Sequence, residues 1–104
     1  AILIAQNNDI ASLEPARLFA ERVRGILVAR EHIVVEYDLP KEHLAKARDI
    51  TPGIESPTVS PLSKDGWVAV KAMAKQAEVN RIMDELTAIG AKGIIITDIR
   101  TCRI

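Results

Sequence analysis

Aromatic side chains are scarce in this chain: Phe19, Tyr37 and Trp67 make up 3% of 104 residues, so any core has to be aliphatic. Cys102 is the single cysteine, which excludes a disulfide framework. Neither sign of charge is in excess, since Lys plus Arg and Asp plus Glu number 14 each. Bulk charge therefore offers nothing to a nucleic acid or an anionic membrane. No apolar run approaches the roughly 20 residues that span a bilayer, and no basic-then-apolar secretion signal is seen, so a reducing cytosolic setting is expected. Ala1 is not an initiator methionine, and we expect a processed product or a piece of a longer chain. A Gly-rich phosphate loop, CxxC, HExxH and GxSxG are all missing, and with them the common routes to phosphate, metal and acyl chemistry.

What the chain does have is 48% apolar and 27% charged residues, the balance of a soluble globular protein, in a length that suits one domain. Folding at this size hides roughly 65% of the extended chain's surface, enough for a core without metal or disulfide staples. Ala1–Ala5 has the character of a strand that stops at the polar cluster Gln6–Asp9. Ser12 can cap a helix expected from about Leu13 to about Glu31, whose first turn tolerates Pro15 and whose Phe19, Val23, Ile26 and Leu27 share one face.

Ile33–Leu39 is β-branched and apolar, and Pro40 ends the strand it predicts. A short helix is expected over Lys41–Arg48 with Leu44, Ala45 and Ala47 or Arg48 turned inward, until Thr51-Pro52-Gly53 breaks it. Thr58–Leu62 and Trp67–Met73 predict a hairpin about the turn Ser63–Gly66. Pro57 and Pro61 have no N–H for a ladder, which places the first of these strands on a sheet edge. Val79, Ile82, Met83, Leu86 and Ile89 then recur at helical spacing up to Gly90, and Gly93–Ile99 is the last strand.

Residues 33–99 thus follow the order strand, helix, strand, strand, helix, strand: an α+β, ferredoxin-like βαββαβ sandwich with its first and third strands central. We assign residues 32–104 to that domain and residues 1–31 to a preceding strand and linking helix. Both short helices fall on one face. The other face needs a cover, which the helix from Leu13 or a second copy of the domain can provide.

His32 and His43 have no cysteine or further histidine at ligand spacing and are expected to be surface or structural residues. Cys102 lacks a histidine to activate it and is taken as an inert thiol, while Asp84 and Glu85 belong to a solvated helix face. Three features offer more. Asp38 comes at the carboxyl end of a central strand, where sheets present ligand groups, or where a helix is capped. Glu55-Ser56-Pro57-Thr58 sets two hydroxyls and a carboxylate in a proline-stiffened stretch, suited to a small zwitterion or to ordinary edge-strand chemistry. In Gly90-Ala91-Lys92-Gly93 the first glycine can end a helix, and the second lets the main chain approach a neighbour or ligand.

The blocks Thr51-Pro-Gly-Ile-Glu-Ser-Pro-Thr-Val-Ser-Pro-Leu62, Trp67-Val-Ala-Val70, Ile82-Met-Asp-Glu-Leu86, Ala88-Ile-Gly-Ala-Lys92 and Thr97-Asp-Ile-Arg100 resemble the C-terminal regulatory domain of long-form ATP phosphoribosyltransferase, the glycosyltransferase that opens histidine biosynthesis. Nearly the whole chain is covered, and the proline-spaced Pro57–Leu62 block is its most specific part. Ala1–Gln6 then resembles the last strand of the catalytic domain, and Leu13–Glu31 the connecting helix.

The resemblance implies an ACT-like, cytoplasmic module that catalyses nothing itself, binds L-histidine as feedback inhibitor and helps assemble dimers into hexamers. It implies no cofactor for this piece, magnesium being expected for the parent enzyme. Carried over by position, the effector contacts fall on Asp38, Thr58 and the main chain at Gly93, where the family leads one to expect a small alanine. Asp38 would take an ammonium or an imidazole N–H, Thr58 a polar group, and Ile54 and Met73 would be apolar walls with Ser56 beside them. The partners implied are L-histidine, further copies of the domain and the catalytic domain of the parent chain, with neither nucleic acid nor membrane. A ligand-free ferredoxin-like oligomerisation module is the alternative. RNA binding on the open sheet would need stacking aromatics and has only Tyr37 and Trp67 to draw on.

Overall fold

The computed structural model describes residues 10–103, so the strand expected at Ala1–Ala5 lies outside the described residues. Helix α1 spans Ile10–Glu31 and starts earlier than the expected Leu13. Strand β1 follows directly over His32–Pro40. A 3₁₀ turn at Lys41–His43 leads into α2 (Leu44–Ile50), so the expected helix begins as a tighter turn and ends two residues later than Arg48. Strand β2 is Thr58–Pro61 and β3 is Trp67–Lys75. A second 3₁₀ turn at Gln76–Glu78 opens α3 (Val79–Ala88), and β4 is Lys92–Asp98.

The four strands form one antiparallel sheet in the order β2-β3-β1-β4, the ferredoxin-like arrangement. Edge position explains why β2 tolerates Pro61, which sits opposite Val68. The hairpin closes through Leu62 N–H donating to the Trp67 carbonyl at 3.0 Å, and the Lys64 ammonium lies 4.7 Å above the Trp67 ring.

Alternation along the central strands separates two faces. Ile33, Val35, Tyr37 and Leu39 of β1, with Val68 and Val70 of β3, are buried against Ala47 of α2 and Ile82 and Leu86 of α3. The aliphatic core expected from the composition is therefore present, and Tyr37 joins it. Of the residues expected to turn inward on α2, Ala47 is buried and Leu44 half-buried, whereas Ala45 and Arg48 are exposed. At the end of α3 the Gly90 N–H bonds to the Thr87 carbonyl and the Ala91 N–H to the Leu86 carbonyl, a Schellman ending made possible by Gly90 at φ +89°.

The outer face corrects one expectation. Helix α1 meets β1 and the Gln76–Glu78 turn, but its Leu18, Phe19, Ile26 and Leu27 remain exposed and only Val23 of the expected stripe is half-buried. Helix α1 runs into β1 without an intervening loop and, among its described residues, buries only Gly25 and Ala29, and Ile95 on the outer face is 57% exposed. Of the two covers considered, α1 is not one in this chain. The outer face carries, in register, Glu36 opposite Lys71 and Asp38 opposite Ala69.

Candidate functional site

Asp38 lies within β1 and not at its end, because the strand continues through Leu39 and Pro40. Pro40, the residue before the 3₁₀ turn, receives no side-chain cap, so the capping role considered for Asp38 is not filled. Its carboxylate belongs to the outer face and is half-buried there.

Lys92 is the register partner of Asp38 on β4, and Gly93, the next residue, lies beside its carboxylate. The β1–β4 register shifts between Glu36 and Asp38, a bulge, and Gly93 takes φ +60°, a left-handed conformation that side-chain-bearing residues adopt at a cost. A Cβ placed on Gly93 would lie 3.9 Å from Oδ2 of Asp38. The two glycines of Gly90–Gly93 therefore have separate tasks: Gly90 ends α3, and Gly93 opens the backbone beside a carboxylate.

Thr58 begins β2 opposite Lys71, with Ser60 opposite Ala69. Asp38, Gly93, Thr58 and Ser60 all line one hollow of about 280 Å³ on the outer face, floored by Ala69 and bordered by Glu36, Lys71 and Ile95. A second hollow of about 340 Å³ adjoins it, lined by Ile54, Ser56 and Met73 among others. Thr58 and Lys71 line both. The structure thus brings Asp38, Thr58 and Gly93 together, and sets Ile54, Ser56 and Met73 next to them across the Thr58–Lys71 ridge. Volumes near the roughly 300 Å³ lower end for ligand clefts suit a single small metabolite and not a nucleotide.

Among the lining residues that the sequence reading did not assign to the site, Glu36, Ser60 and Lys71 turn polar groups to the outer face. Hairpin register was the signal that could have found Ser60 and Lys71, since a turn at Ser63–Gly66 sets Thr58 against Lys71 and Ser60 against Ala69.

The segment carrying Ile54 and Ser56 is anchored from below. Thr51 is fully buried, donates its hydroxyl to the Ala47 carbonyl at 3.1 Å, and accepts the Tyr37 hydroxyl at 2.6 Å. Burial pushes the Tyr37 hydroxyl above its ordinary range. Tyr37 turns its ring to the covered face, so it is no stacking platform on the open one. His32 donates from Nδ1 to the Val28 carbonyl at 2.8 Å, a link between α1 and β1. His43 lies 3.6 Å from Glu42 near the surface. Cys102 is half-buried with its sulfur 3.8 Å from that of Met73. Among the described residues no group of three His, Cys, Asp or Glu side chains could hold a metal ion, and no helix is long and apolar enough to cross a membrane. A larger hollow of about 640 Å³ between α1 and residues 100–103 shares no residue with the expected set.

Sheet order, helices on one face and a bulged, polar-lined open face define the class: a ferredoxin-like domain of ACT-like build. The model of the family described as HisG, C-terminal domain, matches residues 29–101, and the chain belongs to that family. It is similar to the ATP phosphoribosyltransferase of Salinibacter ruber, at 67% identity over 103 residues that cover 99% of this chain and 36% of the relative. The ATP phosphoribosyltransferases of Streptomyces avermitilis and Corynebacterium kroppenstedtii are 46% and 43% identical, over 97% and 100% of this chain. The chain spans about a third of the length of these relatives, 35% and 36% in the last two.

Proposed function

We propose that this domain is the effector-binding part of an ATP phosphoribosyltransferase, taking up free L-histidine as feedback inhibitor of histidine biosynthesis and joining further copies of itself, dimers into hexamers. One observation carries the reading: residues chosen on three separate stretches of sequence, Asp38, Thr58 and Gly93, line a single hollow, with Ile54, Ser56 and Met73 in the adjoining one. Histidine brings a carboxylate, an ammonium and an imidazole. Asp38 accepts from one of the cationic N–H groups, Thr58 and the main chain at Gly93 bond to polar atoms, and Ile54 and Met73 face the apolar part of the ligand.

Because the outer face is bare in one chain, a second copy laid on it would close the hollow over the ligand. Binding then alters how subunits pack, and a coupling of about 1–3 kcal/mol suffices to lower activity in catalytic domains some distance away. Helix α1, with Leu18, Phe19, Ile26 and Leu27 exposed, is the segment that meets the catalytic part of the parent chain in the cytoplasm. In this reading no catalytic step belongs to this domain, and magnesium is a requirement of the parent enzyme's catalytic part. Calorimetry with L-histidine, alongside light scattering with and without it, tests the proposal. A saturable heat with a change in mass is expected. Neither heat nor thermal shift at millimolar histidine would leave a ligand-free oligomerisation module.

A further inference from the structure

A ligand reaching from Asp38 on β1 to Thr58 on β2 must cross β3, because the sheet order places that strand between them. At strand spacings of about 4.8 Å the two backbones are about 10 Å apart. On the outer face of β3 the crossing passes Ala69, which has no hydrogen-bonding side chain, and Lys71, which has one. Lys71 stands in register between Thr58 and Glu36 and lines both hollows.

Charge makes the position decisive. The residues lining the two hollows include three carboxylates, Glu36, Asp38 and Glu55, and Lys71 is their one cationic side chain. An incoming carboxylate would be repelled by those acids unless an ammonium met it. None of the ion pairs found among the described residues uses Lys71. Its side chain is exposed on a flexible stem that can swing toward either hollow.

We infer that Lys71 receives the α-carboxylate of the amino acid bound on the outer face, and thereby sets which way round the ligand lies, its cationic groups toward Asp38 and Glu36. This rests on the reading that the face binds a free amino acid. It adds a specificity: amino acids are accepted, and the corresponding amines and amino alcohols are discriminated against.

The test titrates L-histidine and L-histidinol, which replaces the carboxylate by a hydroxymethyl group, into the wild-type chain and the K71M and K71R variants by calorimetry. In the wild type histidine binds more tightly than histidinol. K71M loses about tenfold or more toward histidine while its histidinol affinity is unchanged, and K71R retains most of the histidine affinity. The inference is overturned if K71M binds histidine as the wild type does, if it loses both ligands alike, or if K71R falls as far as K71M. Where histidinol is too weak to measure, the contrast between K71R and K71M decides. A wild-type chain that binds no histidine removes the underlying reading too, which sets that failure apart from a failure of Lys71 alone. Melting curves of both variants, expected to overlay the wild type because Lys71 is exposed, exclude misfolding as the cause.

Discussion

The Tyr37 hydroxyl lies 2.6 Å from Oγ1 of Thr51, both groups buried. Thr51 has one hydroxyl proton and gives it to the Ala47 carbonyl, so Tyr37 must be the donor of the pair. This bond fastens the start of the segment that carries Ile54, Ser56 and Thr58 to the strand residue next to Asp38. The two halves of the candidate site are thus held in register by a contact on the opposite face of the sheet.

Removing either hydroxyl should have unequal effects. Thr51→Val leaves the Tyr37 O–H buried with no acceptor, at a cost of about 1–3 kcal/mol. Tyr37→Phe leaves Thr51 still bonded to Ala47 and costs about 1 kcal/mol. Urea unfolding should therefore rank Thr51→Val as the less stable variant. The reverse order would mean that the pair is not the anchor.

The same pair predicts behaviour in alkali. Burial holds the Tyr37 pKa above its ordinary value of 10.0, so above pH 10 the unfolded chain loses this proton before the folded one does. The folded state then binds more protons, and stability falls as pH rises from the unfolded value through the folded one, having been fully present below. Unfolding curves between pH 8 and 11.5, to take about that span, should show the loss in the wild type and a smaller one in Tyr37→Phe. Equal slopes in both would assign the alkaline loss to other groups.

Asp38→Ala addresses the ligand directly. No side-chain hydrogen bond or ion pair of Asp38 is found among the described residues, and its side chain belongs to the outer face, so the fold should survive. Histidine affinity should fall at least tenfold, about 1.4 kcal/mol. Calorimetry on the variant decides, and an unchanged affinity takes Asp38 out of the site.

Much of this was legible from residue types alone. Pro57 and Pro61 marked an edge strand, the β-branched run from Ile33 marked a central one, and α3 announced itself through Ile82 and Leu86. Lys71 and Glu36 were not legible, because a single charged residue at an alternating strand position looks like an ordinary solvated side chain until register sets it beside Thr58 and Asp38. The Tyr37–Thr51 bond joins residues on two elements, and no local pattern announces a hydroxyl pair of that kind. Helix α1 misled for a different reason. Its apolar residues have the spacing of a core face, yet spacing cannot say whether the partner is this sheet or another part of the assembly.

Gly93→Ala separates backbone from space. A methyl there would sit 3.9 Å from the Asp38 carboxylate, an ordinary contact, so there is room for it. The cost is conformational, about 1–2 kcal/mol for a side chain at φ +60°. A lowered urea midpoint with histidine affinity reduced far less than in Asp38→Ala is expected. A large loss of affinity at unchanged stability would show that the methyl intrudes on the ligand.

Ile95 tests whether the bare face is where copies meet. It is 57% exposed on the outer side of β4 and borders the hollow, so a charge placed there removes little from the core of a single chain. A cost within about 1 kcal/mol follows for Ile95→Lys, whose long stem can lie along the sheet while its ammonium stays in water. At a seam between two copies the same ammonium would be desolvated against an apolar partner, a far larger penalty. Ile95→Lys should therefore keep the circular dichroism and melting profile of the isolated fold while light scattering reports a smaller particle. Histidine would then bind more weakly as well, because the second wall of the hollow has gone. A variant that keeps its full mass would place the seam elsewhere, and one that loses mass yet binds histidine at wild-type strength would place the ligand on a single chain.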